Sequence, residues 1–158
     1  MQWELCERPD HRVILSRQPT NFEEKKQSVD EKATKHAEDL HWSYALEVNG
    51  VTIASNRRLC GEPYYIQERD LLVMSEEVVK EKVKSKHSGR HNDFRHTLTL
   101  INTKTLMEIT GRYNSKGPIH IEDVTRDAIS YEKQGSYQGR AFELLFDRLG
   151  GWRPLVKS

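Results

Sequence analysis

The segment Trp42 to Ser55, WSYALEVNGVTIAS, constrains the fold more than any other stretch. Tyr44, Leu46 and Val48 alternate with polar neighbours, and Val51 and Ile53 resume the alternation beyond Asn49-Gly50. A period of two separates the faces of a strand, and Asn-Gly supplies the positive φ angles of a type I′ hairpin turn. A chain containing such a unit must bury one of its faces, so it needs further strands.

The rest of the sequence offers them. Phe94 to Arg112 reads as a second hairpin around which the others are organised. Leu98 and Leu100 fall on one parity, and Thr97, Thr99 and Ile101 on the other. Asn102-Thr103-Lys104 makes the turn, since Asn bonds the backbone two residues on. Thr105 to Thr110 forms the return arm, with Met107 and Ile109 opposite Leu106 and Glu108, and Gly111 is expected to end it. Trp3–Cys6, Arg12–Ser16, Tyr64–Ile66, Leu71–Met74, Ile119–Val124, Asp127–Glu132 and Arg140–Phe146 complete a series of short strands. Turn residues divide them at spacings of about 8 to 12 residues, the rhythm of sandwiches and barrels. The chain is too short for a closed propeller, which needs at least about four four-stranded blades.

Thr20 to Leu40 differs. Thr20 and Glu23 have capping-box spacing, and Phe22, Val29, Ala33, Ala37 and Leu40 recur at helical spacing among Glu and Lys. The expectation is an amphipathic helix, or else a partly disordered insertion. The fold class is therefore mainly β (or α+β). Antiparallel hairpins form a sandwich-like or open-barrel sheet with one N-terminal amphipathic helix. Residues 1–158 make a single domain, with a basic loop over 76–93 and an irregular tail over 147–158.

Composition excludes several functions. The net charge of +1 gives no global field toward nucleic acid or anionic membrane. No apolar run approaches the roughly 20 residues that span a bilayer. The N-terminus has no signal-peptide core, and Cys6 and Cys60 show no CxxC spacing. These features point to a reduced, cytoplasmic setting, although the spacing leaves a Cys6–Cys60 disulfide open.

The chemistry-bearing stretch is Lys80 to His96, KEKVKSKHSGRHNDFRH. Lys80, Lys82, Lys84, Lys86, Arg90 and Arg95 outnumber Glu81 and Asp93. Three readings compete with a plain solvated loop. The first is phosphate contact by the lysines in a nucleic-acid-binding module, with Phe94 available to stack on a base. The second is a metal held by His87, His91 and His96. Ser88 and Gly89 interrupt the helix that such spacing would need, so no metal is expected. The third is a metal-independent nuclease or phosphodiesterase. In it, His91, His96 and His120 exchange protons with an RNA substrate, and Arg95 or Arg112 holds the phosphate. That mechanism requires strand 119–124 to lie beside strand 95–101.

No serine elbow or phosphate-cradling glycine loop is present, and no cofactor is expected. A non-catalytic protein-interaction module is the first expectation, of the kind seen in small inhibitors and immunity-type proteins. Its binding residues would be Lys82, Lys84, Lys86, His87, Arg90 and His91, with Arg57 and Arg58 on a separate loop. A protein partner is expected, nucleic acid is the lesser alternative, and a membrane is not expected. Segment 20–40 carries a net charge of −2 and segment 80–96 a net charge of +4, so the two could also pair with each other.

Overall fold

The computed structural model describes residues 2–18, 42–78, 96–134 and 140–155. Twelve strands occur among them: β1 (Gln2–Arg8), β2 (His11–Gln18), β3 (Trp42–Val48), β4 (Val51–Leu59), β5 (Tyr64–Ile66), β6 (Leu71–Glu77), β7 (His96–Asn102), β8 (Met107–Ser115), β9 (Ile119–Val124), β10 (Ala128–Lys133), β11 (Arg140–Leu145) and β12 (Arg153–Pro154). Each pairing is antiparallel. The larger sheet runs β1-β2-β3-β4-β6-β7-β8-β12, with β5 also against β6, and the smaller runs β11-β10-β9. The mainly β expectation therefore holds.

The expected N-terminal helix is not borne out. Its residues, 20–40, lie outside the described ones, and the helical segments among the latter are short 3-10 turns at Gln67–Arg69 and Phe146–Arg148. None is long and apolar enough to cross a membrane.

Three layers enclose two cores. Val13, Leu15, Tyr44, Leu46 and Leu59 from β2–β4 pack on Leu72, Met74 and Ile101 of β6 and β7. The opposite parity of the same strands, Leu71, Val73, Leu98 and Leu100, packs on Ile121, Ile129 and Tyr131 of the smaller sheet. Strands β6 and β7 are thus covered on both sides, and Leu71–Glu76 and His96–Ile101 are buried throughout. A strand in that position cannot alternate apolar with polar, which explains the unbroken run Leu71-Leu72-Val73-Met74.

Local chemistry sets the turns. Asn49 and Gly50 take φ of 51° and 81°, as a type I′ turn demands. Asn102 Oδ1 accepts hydrogen bonds from the amides of Lys104 and Thr105, both at 3.0 Å. Gly111 does not end its strand. It sits at φ 76° inside β8, where the register with β7 shifts between Leu98 and Leu100. The extra residues are absorbed as a bulge, and Thr97 Oγ1 accepts the Gly111 amide at 3.0 Å. The described part of the segment expected as an irregular tail, 147–155, holds the end of a 3-10 turn and the two-residue β12. Its β12 pairs Arg153 with Glu108 and Pro154 with Met107, which covers the outer edge of β8. Of the expected 76–93 loop, Glu76 and Glu77 belong to β6, and residues 79–93 lie outside the described ones.

Candidate functional site

One row of paired residues crosses the large sheet at a single end. Gln18 pairs with Ser43, Ser43 with Arg58, Arg58 with Glu77, Glu77 with His96 and His96 with Ser115. The chain leaves β2 and enters β3 at this row, and leaves β6 and enters β7 there too. Both segments singled out by charge, 20–40 and 80–95, are therefore anchored at the same end.

A bulge in β4 builds the floor of this end. Tyr44 pairs with Arg57, but Leu46 pairs with Ala54, so Ser55 and Asn56 together oppose the single residue Ala45 and β4 carries one extra residue. Asn56 adopts φ 59°, a left-handed conformation that Asn tolerates better than most residues. The bulge resets parity, and Arg57 turns inward beside Tyr44. There Arg57 Nη1 donates to Glu108 Oε2 at 3.0 Å, and Nη2 lies 3.0 Å from Glu76 Oε1. Tyr44 donates its hydroxyl to Glu76 Oε2 at 3.0 Å. Thr99 and Thr110 join their hydroxyls at 2.9 Å on the same face.

Burial shapes the electrostatics. It works against the Arg57 charge, but Glu76 and Glu108 outweigh it and hold the guanidinium above its usual pKa. Burial, and then the neighbouring Glu76, push the Tyr44 phenol well above its usual value. Above this cluster opens a cavity of about 320 Å³, lined by Arg57, Arg58, Glu76, Glu77, Thr97 and Thr110. At its rim Arg58 Nη1 donates to Glu77 Oε2 at 3.3 Å.

The opposite end is sealed by a second polar cluster. His11 Nε2 and the Tyr65 hydroxyl each lie 2.8 Å from Thr103 Oγ1. Arg8 pairs with Asp70, and the Thr103 amide donates to the Asp70 carbonyl at 2.9 Å. These contacts tie the β1–β2 turn to the β5–β6 and β7–β8 turns. His11 and Thr103 are buried, so the cluster serves as a seam.

Arg57 and Arg58, expected on a loop, are strand residues, because β4 continues to Leu59. Lys82, Lys84, Lys86, His87, Arg90, His91 and Arg95 lie outside the described residues. The nuclease reading requires strand 119–124 beside strand 95–101; β9 touches β7, but face to face across the second core and not as a paired strand. Strand β9 belongs to the smaller sheet and pairs with β10, not with β7. Its Ile119 and Ile121 face the core while His120 is exposed, and His96 is buried in the larger sheet. Cys6 and Cys60 are free thiols, both buried. Among the described residues no group of three His, Cys, Asp or Glu side chains could hold a metal ion.

Sequence reasoning missed Tyr44, Glu76 and Glu108 as one set. Glu76 continues the Leu72, Met74 parity, which is a usable signal. In a strand apolar on both parities, however, nothing in the sequence marks which side is shared. No protein-family model, no curated protein and no solved structure matches the chain.

Proposed function

We propose that this chain is a non-catalytic protein-interaction module whose binding face is the end of the large sheet marked by Arg58, Glu77 and His96. The observation that carries the reading is the common row from Gln18 to Ser115, at which both charge-rich segments are anchored. Segments presented by a rigid β scaffold are where binding residues concentrate. Lys82, Lys84, Lys86, His87, Arg90 and His91 all fall, in sequence, between the ends of β6 and β7. Arg58, on the row, is the arginine we assign to this face with the basic stretch, while Arg57 is turned into the interior. Mixed charge on such a face steers encounter and selects a complementary partner. A small inhibitor or immunity-type protein, which blocks another protein's working surface, is the form of module we favour.

Site-specific photo-crosslinking tests this. A photoreactive residue replaces Val78 at this end or Lys104 at the other, and the protein is exposed to nuclease-treated lysate of the source cell. The expected result is one stoichiometric crosslinked protein from position 78 and none from position 104. The Lys82→Glu, Lys84→Glu, Lys86→Glu triple variant should lose that product while retaining its thermal stability. Equal crosslinking from both ends, or a product that the triple variant leaves unchanged, overturns the reading.

A further inference from the structure

The outermost strands of the two sheets differ in how their edges are guarded. On β1 the register shifts between Glu4 and Cys6, and Gln67 Nε2 donates to the Leu5 carbonyl. The edge of β8 is covered by β12. On β9 the Tyr64 hydroxyl donates to the Ile121 carbonyl at 3.4 Å, and Ile119 and Ile121 are buried. Strand β11 has no such guard. It pairs with β10 over Arg140–Leu145 in an unbroken register, without a bulge or a proline. The Phe146 amide donates to the Asp127 carbonyl at 3.0 Å, which fixes the alternation of the ladder. Phe142 and Leu144 turn their backbone groups to β10, and Ala141 and Glu143 turn theirs to the open edge. Both of these residues are exposed, and among the described residues no other strand pairs with β11. An uncovered run of strand donors and acceptors is a template for another chain, and native edges are seldom left so.

We propose that the open edge of β11 receives an extended segment of a partner protein, added to the smaller sheet as a further strand, with a lysine or arginine of that segment beside Glu143. Charge decides the occupant. Phe142, stacked on Tyr131 at 5.2 Å, and Leu144 lie on the core side, so Ala141 and Glu143 lie on the outer side. Ser130 pairs with Glu143, and Glu132 with Ala141, so both continue that outer side on β10, and Asp123 of β9 pairs with Ser130. The strand positions on this side carry these carboxylates and no lysine or arginine. Lys133 lies on the other side, its ammonium 4.7 Å from the Phe142 ring centroid. A second copy of the chain fits less well. Its full antiparallel register would set Glu143 directly opposite its own copy, and like charges so placed are destabilising. A basic segment is favoured at that position, and its alternate apolar residues continue the core side beside Phe142 and Leu144. The inference rests on the reading of the chain as a protein-interaction module, but it uses a surface other than the row from Gln18 to Ser115.

Isothermal titration of the whole protein at about 0.15 M salt, where loose surface attraction is screened, is the test. The probes are the blocked peptides Val-Lys-Val-Lys-Val and Val-Glu-Val-Glu-Val, and the lysine peptide methylated on every amide. We expect saturable one-to-one binding of the lysine peptide, with slowed hydrogen exchange at the Ala141 and Glu143 amides. The glutamate peptide should bind at least about fivefold more weakly, the weight of one cross-strand charge pair. The methylated peptide has no amide to donate to the edge and should not bind. Ala141→Pro removes an outward amide that makes no bond to β10 and places a ring on the edge. It should abolish binding and keep the thermal stability of the parent. Should that variant fail to fold, Glu143→Lys replaces it and should reverse the preference between the two charged peptides. No binding of the lysine peptide, equal binding by Ala141→Pro, or an unchanged preference in Glu143→Lys overturns the assignment. A dimer in sedimentation that Ala141→Pro abolishes also overturns it, in favour of a second copy. The Lys82→Glu, Lys84→Glu, Lys86→Glu variant should bind the lysine peptide as the parent does. Peptide binding without a crosslink from position 78 leaves the edge standing and removes the row, and a crosslink without peptide binding does the reverse.

Discussion

Tyr44 donates its hydroxyl to Glu76 across the interior, from β3 to β6, at 3.0 Å. The bond links the two halves of the bent sheet where β4 and β6 share only a short pairing, Arg58 with Glu77 and Leu59 with Glu76. Tyr44→Phe leaves Glu76 Oε2 without that donor and should cost about 1–3 kcal/mol. Urea unfolding should show a lower midpoint with an unchanged slope.

Arg57 compensates two buried carboxylates. Arg57→Met leaves Glu76 without a cation and Glu108 with only the largely exposed Arg153, at 3.8 Å, and should destabilise the fold by about 3–5 kcal/mol. The triple variant Arg57→Met, Glu76→Leu, Glu108→Leu removes all three charges and should recover most of that loss. Comparing the two unfolding free energies checks the pair. A triple variant no more stable than the single one would show that the cluster does more than neutralise itself.

The β4 bulge depends on the left-handed Asn56, at φ 59°. Asn56→Gly should be nearly neutral. Asn56→Val should cost about 1–2 kcal/mol, because a β-branched side chain is poorly tolerated there. Thermal melts of the two variants decide this. Equal melting temperatures would mean that the bulge is set by its neighbours and not by residue 56.

Alkaline pH should unfold the protein. Burial raises the pKa of Tyr44, of Tyr65, of Tyr131 and of the Cys60 thiol. Each group keeps its proton longer in the folded chain than in the unfolded one. Stability is therefore full below the ordinary values, near 9 for the thiol and near 10 for the phenols, and declines as pH rises past them. The decline should approach about 1.4 kcal/mol per pH unit for the fully buried Tyr44, and less for the others, which solvent screens in part. Urea midpoints between pH 8 and 11, read with phenolate absorbance, measure it, and Tyr44→Phe should reduce the slope by one group.

At the sealed end, Thr103→Val removes the hydroxyl that meets both His11 and Tyr65 at 2.8 Å. A buried polar group that loses its partner costs about 1–3 kcal/mol. The loss should appear as faster exchange of the amides in the β7–β8 turn, where the Thr103 amide is bonded to Asp70.

The hairpins were legible because their determinants are local. Asn49-Gly50 sets a turn, Asn102 bonds its own backbone, and Ile119 and Ile121 alternate with His120 and Glu122 as a half-buried strand must. The candidate site was legible only in fragments. Arg57 and Arg58 read as charges beyond a finished hairpin, since a bulge needs a partner strand to define it. Glu76 read as the start of a charged loop, and Glu108 as the polar side of an arm.

What the sequence determined alone is the antiparallel β class and the positions of most turns, because period-two alternation and positive-φ residues act within a few positions of themselves. Tertiary structure decided which parity of β6 and β7 faces which layer. It also decided that Arg57 turns inward to meet Glu76 and Glu108, and that two distant charged segments spring from one end of the sheet. These outcomes depend on strand order and register, which are set by burying two cores at once and not by any local preference.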